Sequence, residues 1–152
     1  MKHKSNKSSI CPVARSLDVI GEWWSLLIVR DAMLGVKRFS EFERRLGMAK
    51  NILTSRLKLL VEAGVLQLVP ASDGSAYNEY ELTQKGKDLL PTMVALRQWG
   101  EKYMFGDGDD HSLVLDKVNH QPLAKMTVRS SDGRELGLED LELVMPPAKP
   151  AA

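Results

Sequence analysis

The chain has 152 residues, 43% apolar and 27% charged, and a formal net charge of +1. This fits one ordinary soluble domain with a short appendage, and no apolar run approaches the ~20 residues needed to span a bilayer. The single cysteine, Cys11, excludes an internal disulfide, and His3, His111 and His120 are too scattered to suggest a zinc site.

The near-neutral total hides an asymmetry. Residues 1–70 carry twelve Lys/Arg against six Asp/Glu, whereas residues 71–152 carry nine against fourteen. A basic half on a neutral chain is expected where one face meets a polyanion, although a chance fluctuation in surface charge gives the same totals. The N-terminus, MKHKSNKSSICP, lacks the apolar stretch of a secretory signal, so residues 1–10 read as a basic arm on a cytoplasmic protein.

Cys11-Pro12 opens the first expected helix, because proline suits a first helical turn; Val13, Leu17 and Ile20 follow at helical spacing until Gly21. EWWSLLIVRDAML (22–34) is apolar on nearly every side, with Trp23, Leu26, Leu27, Met33 and Leu34 on one broad face. Such a helix belongs at the centre of a core. After the basic loop Lys37-Arg38, SEFERRL (40–46) predicts a helix started by the pair Ser40 and Glu43, with Phe42 and Leu46 inward and Arg44 and Arg45 outward. Gly47 makes a turn. The next helix runs from about Lys50 to Ala63 and closes at Gly64.

VLQLV (65–69) and NEYEL (78–82) predict a hairpin, and Thr83 predicts the cap of a long helix reaching Phe105, kinked by Pro91. GDGDD begins an acidic linker over 106–111. In 112–145, LVLDKV, PLAKMTVR and LELVM are β-like and NHQP and SSDG are turns, giving a small hairpin or ribbon; residues 146–152 read as a disordered tail. The expected class is therefore mainly α with small β: a winged helix-turn-helix with a long C-terminal helix and a β-rich tail.

The helix after Gly47 carries the functional signal. At ~100° per residue, Lys50, Asn51, Thr54, Ser55 and Lys58 fall within an arc of about 140°, opposite Leu53, Leu57 and Leu60. Every surface helix has a solvated face. A merely solvated one would favour Glu and Lys, whereas Asn, Thr and Ser each cost a few tenths of a kcal/mol in helix propensity. Short hydrogen-bonding groups flanked by lysines suit a major groove, and this helix occupies the groove-entering position of a helix-turn-helix. Arg56 falls inside the apolar arc and is expected to pair with Glu22 or Glu41.

The runs CPVARSLDVIGEWWSLLIVRD, RFSEF, LTSRLKLLVEAGVL, YELTQKG and LRQWG, in that order over residues 11–100, closely resemble the HxlR-type bacterial transcriptional regulators, relatives of the MarR group. The resemblance implies a domain over 11–105 that binds operator DNA as a homodimer, with 50–58 as recognition helix and Pro70–Asn78 as wing. It places helices 12–20 and 84–105 at the dimer interface, through Val13, Leu17, Leu89, Met93, Leu96, Trp99 and Tyr103. It implies a repressor responsive to a small molecule or oxidant, and no catalytic residues.

There is one departure. Relatives usually carry arginine after the first wing strand, but QLVPASDGSAYNE holds no Lys or Arg. Phosphate contacts are therefore expected from Lys37, Arg38, Ser40, Arg44 and Arg45, or from the arm through Lys2, Lys4 and Lys7. Some relatives sense oxidants through a cysteine placed like Cys11, and the other reading of this residue is a half-buried helix cap. Trp23, Trp24 and Trp99 read as core aromatics. The expected partners are double-stranded DNA, a second copy of the chain and a small-molecule effector, with no membrane, metal or cofactor. The competing reading is a winged-helix module that binds protein, which the acidic wing favours; a thiol enzyme built on Cys11 fails for want of a histidine base.

Overall fold

The computed structural model describes residues 5–147. Lys2, Lys4 and the tail beyond residue 147 lie outside that range. The chain forms two compact units, residues 1–94 and residues 95–152.

The first unit contains α1 (Pro12–Ile20), α2 (Trp23–Met33), α3 (Phe39–Leu46), α4 (Lys50–Glu62), β1 (Leu66–Pro70), β2 (Asn78–Leu82) and α5 (Gln84–Lys87). It is a winged helix-turn-helix. As expected of a helix apolar on every side, α2 is central and packs against α1, α3, α4 and β2. Its buried side is nevertheless Ser25, Ile28, Val29 and Asp31, while Trp23 and Leu34 are 82% and 64% exposed. Trp23 is thus no core aromatic of the single chain, and apolarity all round gives a helix no preferred inward side. The core is completed by Val36, Phe42, Met48, Leu53, Leu57, Leu60, Val65 and Leu66.

Helix α3 starts two residues earlier than Ser40 and Glu43 suggested. Arg38 is its N-cap residue, and the Glu41 carboxylate accepts the backbone N–H groups of Lys37 (3.3 Å) and Arg38 (3.2 Å). The capping carboxylate therefore belongs to Glu41, which lies three residues after the true cap. At the other end Gly47 takes φ +62, a left-handed conformation open to glycine, and its N–H bonds to Glu43 O at 2.9 Å.

Strands β1 and β2 are antiparallel with Leu66 opposite Leu82, Leu68 opposite Tyr80 and Pro70 opposite Asn78. The motif YELTQKG fastens this hairpin to α4. Thr83 Oγ1 donates to Gly64 O (2.6 Å) and accepts the Gly86 N–H (3.2 Å), and Lys85 Nζ donates to Ala63 O (2.6 Å). Free carbonyls at the end of α4 are thereby satisfied. Gly86 is buried so close to β1 that a Cβ there would lie 2.3 Å from Val65 O.

The long helix expected from Thr83 is two helices. Thr83 caps only α5, and α6 (Leu90–Tyr103) begins afresh with Pro91 in its first turn. That is the place where a missing N–H costs nothing, so proline acts as a start and not as a kink.

In the second unit, α6 is followed by an irregular segment. Its turns match NHQP and SSDG: Asp116 N–H bonds to Gln121 O, and Ser130 N–H to Arg134 O, both at 2.9 Å. The flanking β-like segments form single bridges, Leu115 to Pro122 and Arg129 to Glu135, in place of continuous strands, and a short 3-10 turn covers Leu138–Asp140.

Candidate nucleic-acid interface

The side of α4 opposite the core is open. Lys50, Asn51, Thr54, Ser55 and Lys58 are all exposed, whereas Leu53, Leu57 and Leu60 are 0% exposed. Lys50 and Lys58 lie 3.8 Å from Glu43 and Glu62, loose surface pairs that a phosphate can replace. The Thr54 hydroxyl donates to Lys50 O at 2.8 Å, which leaves its oxygen able to accept a hydrogen bond. Ala49 caps α4 through its backbone only, with no side-chain hydrogen bond, so the first N–H groups of the helix point outward toward any anion placed there.

Arg56 sits as its angle required. It is one-quarter exposed and pairs with Glu22 at 3.1 Å, joining α4 to the start of α2 and taking no part in the open face. The candidate phosphate ligands divide into groups. Arg44 is exposed and, among the described residues, forms no ion pair. Arg45 instead reaches back to Asp31, whose carboxylate is completely buried, at 3.2 Å, and Arg30 binds the other oxygen of that carboxylate at 2.9 Å. No local pattern signals this: an aspartate inside an apolar helix reads as exposed until a cation from another helix is known to cover it.

Lys37 and Arg38 face the wing. Lys37 bonds to Glu81 at 2.9 Å, which raises the lysine pKa, and its carbonyl accepts the Tyr80 N–H at 2.8 Å. Arg38 bonds to Asp73 at 2.6 Å and to buried Glu79 at 3.4 Å. Glu79 also accepts the Ser72 hydroxyl at 3.1 Å. The Asp73 carboxyl is held down to about 2, first by the Ser75 backbone N–H, then by the neighbouring Ser75 hydroxyl and the Arg38 guanidinium. The wing's acidic residues thus have partners, and they draw Lys37 and Arg38 inward.

Ser40 is exposed on the first turn of α3 and shares a groove of about 450 Å³ with Phe39, Leu68, Tyr77 and Tyr80. Tyr77, 73% exposed at the end of the wing loop, is a candidate that the search for basic wing residues passed over. Its phenol can donate to phosphate without carrying charge.

Cys11 is exposed at the N-cap of α1 and makes no side-chain capping bond, so it is not the half-buried cap expected of it. Within the arm, Asn6 bonds to Asp18 of α1 through its backbone N–H (2.7 Å) and its side-chain amide (3.1 Å). Among the proposed interface residues, Val13, Leu17, Leu96, Trp99 and Tyr103 are exposed. Leu89 and Met93 are partly buried against the core of the first unit. Trp99 is therefore no core aromatic of the single chain; it meets Tyr103 with ring centres 5.6 Å apart and planes tilted by 51°. Among the described residues no cluster has the acidic, histidine and cysteine groups to hold a metal, and no helix is long and apolar enough to cross a membrane.

Comparison with known proteins agrees with this geometry. The chain is 46% identical over 92 residues to the HTH-type transcriptional regulator Rv3095 of Mycobacterium tuberculosis, a match covering 60% of this chain and 58% of that protein. The crystal structure of PA1607, described as a candidate transcription factor, is 50% identical and superposes with a TM-score of 0.89, covering 94% of this chain and all of that one. The redox regulator HypR in its reduced form is 30% identical with a TM-score of 0.55, covering 62% of this chain and 94% of that one. The family model for HxlR-like helix-turn-helix proteins matches residues 19–107, and the chain belongs to that family.

Proposed function

We propose that the protein is a sequence-specific, DNA-binding transcriptional regulator that acts as a homodimer on a palindromic operator. The observation that carries this reading is the exposed face of Lys50, Asn51, Thr54, Ser55 and Lys58 on the second helix of a helix-turn-helix. Two copies related by a twofold axis address successive major grooves ~34 Å apart. Arg44 and Ser40 hold the flanking phosphates, with Lys37, Arg38 and Arg45 released from their carboxylates only as DNA approaches. The exposed residues of α1 and α6, Val13, Leu17, Leu96, Trp99 and Tyr103, form the contact between copies, together with the partly buried Leu89 and Met93. Repression by occupancy needs only these two properties, and an effector acts by changing the spacing between the copies.

A sensing role for Cys11 rests on its exposed thiol at the start of α1. With a single cysteine, oxidation must join two subunits or capture a small thiol. A DNA-binding response to diamide that survives Cys11→Ser excludes it.

Mobility shifts with the DNA upstream of the protein's own gene, over a range of salt, test the main reading. Specific retardation is expected, and Arg44→Ala reduces the salt slope by ~1. The reading in which the wing binds protein rests on the absence of Lys and Arg from β1, the wing loop and β2. It prevails if the chain binds no duplex at any salt concentration.

A further inference from the structure

We infer that residues 106–147 are an exchange arm whose apolar side chains are buried against a second copy of this chain, widening the dimer contact; this rests on the homodimer reading above. The segment is ordered locally but has no interior. Its turns are closed by backbone hydrogen bonds, and Gln98 of α6 holds it at two points, donating to Ala124 O (3.0 Å) and accepting the Met126 N–H (2.7 Å). Arg97 of the same helix bonds to Ser112 O. Yet no described residue of 95–147 is buried. Val118, Leu138 and Leu143 are 91%, 89% and 86% exposed.

Single bridges and turns do not hold so short a chain in water. Units of about 40 residues usually need disulfides, a metal or association with another chain. This segment has no cysteine, and no metal cluster exists among the described residues. Association remains.

Two observations choose the occupant. The segment carries nine Asp/Glu against four Lys/Arg, which disfavours a nucleic acid. Its exposed side chains also continue along the chain from Leu96, Trp99 and Tyr103, the α6 residues assigned above to self-association. Nor is the segment a chance extension, because the similarity to PA1607 spans 94% of this chain and therefore includes it.

The full-length chain and its Leu138→Glu/Leu143→Glu variant are compared by sedimentation velocity from nanomolar to high micromolar concentration. Amide hydrogen exchange of 106–147 is followed over the same range. Both side chains are exposed in the single chain, so the variant retains its fold, checked by its thermal melt. The expected result is a dimer whose dissociation constant rises by roughly tenfold or more in the variant, and exchange in the segment that slows as wild-type protein dimerises. A wild-type dimer with an unchanged variant and concentration-independent exchange overturns the arm alone, including the case where the segment folds back on its own chain. A wild-type monomer throughout overturns the homodimer reading together with the arm.

Discussion

Arg38 and Asp73 meet at 2.6 Å, joining the loop before α3 to the tip of the wing. With Glu79 beneath and Lys37 on Glu81 beside it, the pair ties the wing to the helix-turn-helix it flanks. A basic patch expected to meet DNA is thereby turned toward the protein's own carboxylates, and its strength can be read through acid.

The folded pKa of Asp73 is about 2, below the unfolded value of about 3.9. The stabilisation it gives is fully present above the unfolded value and is lost as pH falls through the folded one. Asn at this position still accepts the Ser75 N–H but carries no charge. The melting temperature of Asp73→Asn is therefore expected to lie below that of the native chain at neutral pH, with the gap closing between about pH 4 and pH 2. Thermal melts over that range check it, and a gap that persists to pH 2 rejects the pairing.

Arg45 and buried Asp31 give a second test, made on the protein without DNA. Removing one cation from a buried carboxylate that keeps Arg30 is expected to cost about 1.5–3 kcal/mol, a charged hydrogen bond's worth. Urea denaturation of Arg45→Ala measures this. In an Asp31→Asn background the same change should cost less than about 0.5 kcal/mol. Equal losses in both backgrounds mean that Arg45 acts elsewhere.

Gly86 is held by space and Gly47 by conformation. A Cβ on Gly86 meets Val65 O at 2.3 Å and Leu82 Cδ2 at 2.8 Å, and a backbone carbonyl cannot rotate away. Gly86→Ala is expected to lose about 2–3 kcal/mol. Gly47 has nothing within 4 Å and only its φ of +62 to maintain, so Gly47→Ala is expected to lose about 1 kcal/mol. Chemical denaturation that reverses this order contradicts the packing of α5 on β1.

What the sequence revealed follows from where its signals are directional. The spacing of Leu53, Leu57 and Leu60 fixed which side of α4 is buried, and the same spacing assigned Arg56 to an ion pair, found with Glu22. Helix α2 carries no such contrast, so its inward residues and its buried Asp31 were not readable. The cap of α3 was misplaced because Ser40 looks like a cap, while the true one works through the backbone of Arg38 and the carboxylate of Glu41. The inward turn of Lys37 and Arg38 depends on Asp73 and Glu79, more than thirty residues away, a relation no local pattern expresses.

The central claim is that Asn51 and Thr54 read bases. Fluorescence anisotropy of Asn51→Ala and Thr54→Ala on the upstream operator and on a scrambled duplex of equal length measures it most directly. The account predicts a loss of roughly tenfold to a hundredfold on the operator, the ~1–3 kcal/mol of a good base contact, with little change on the scrambled duplex. Equal losses on both duplexes, or none on either, would contradict it.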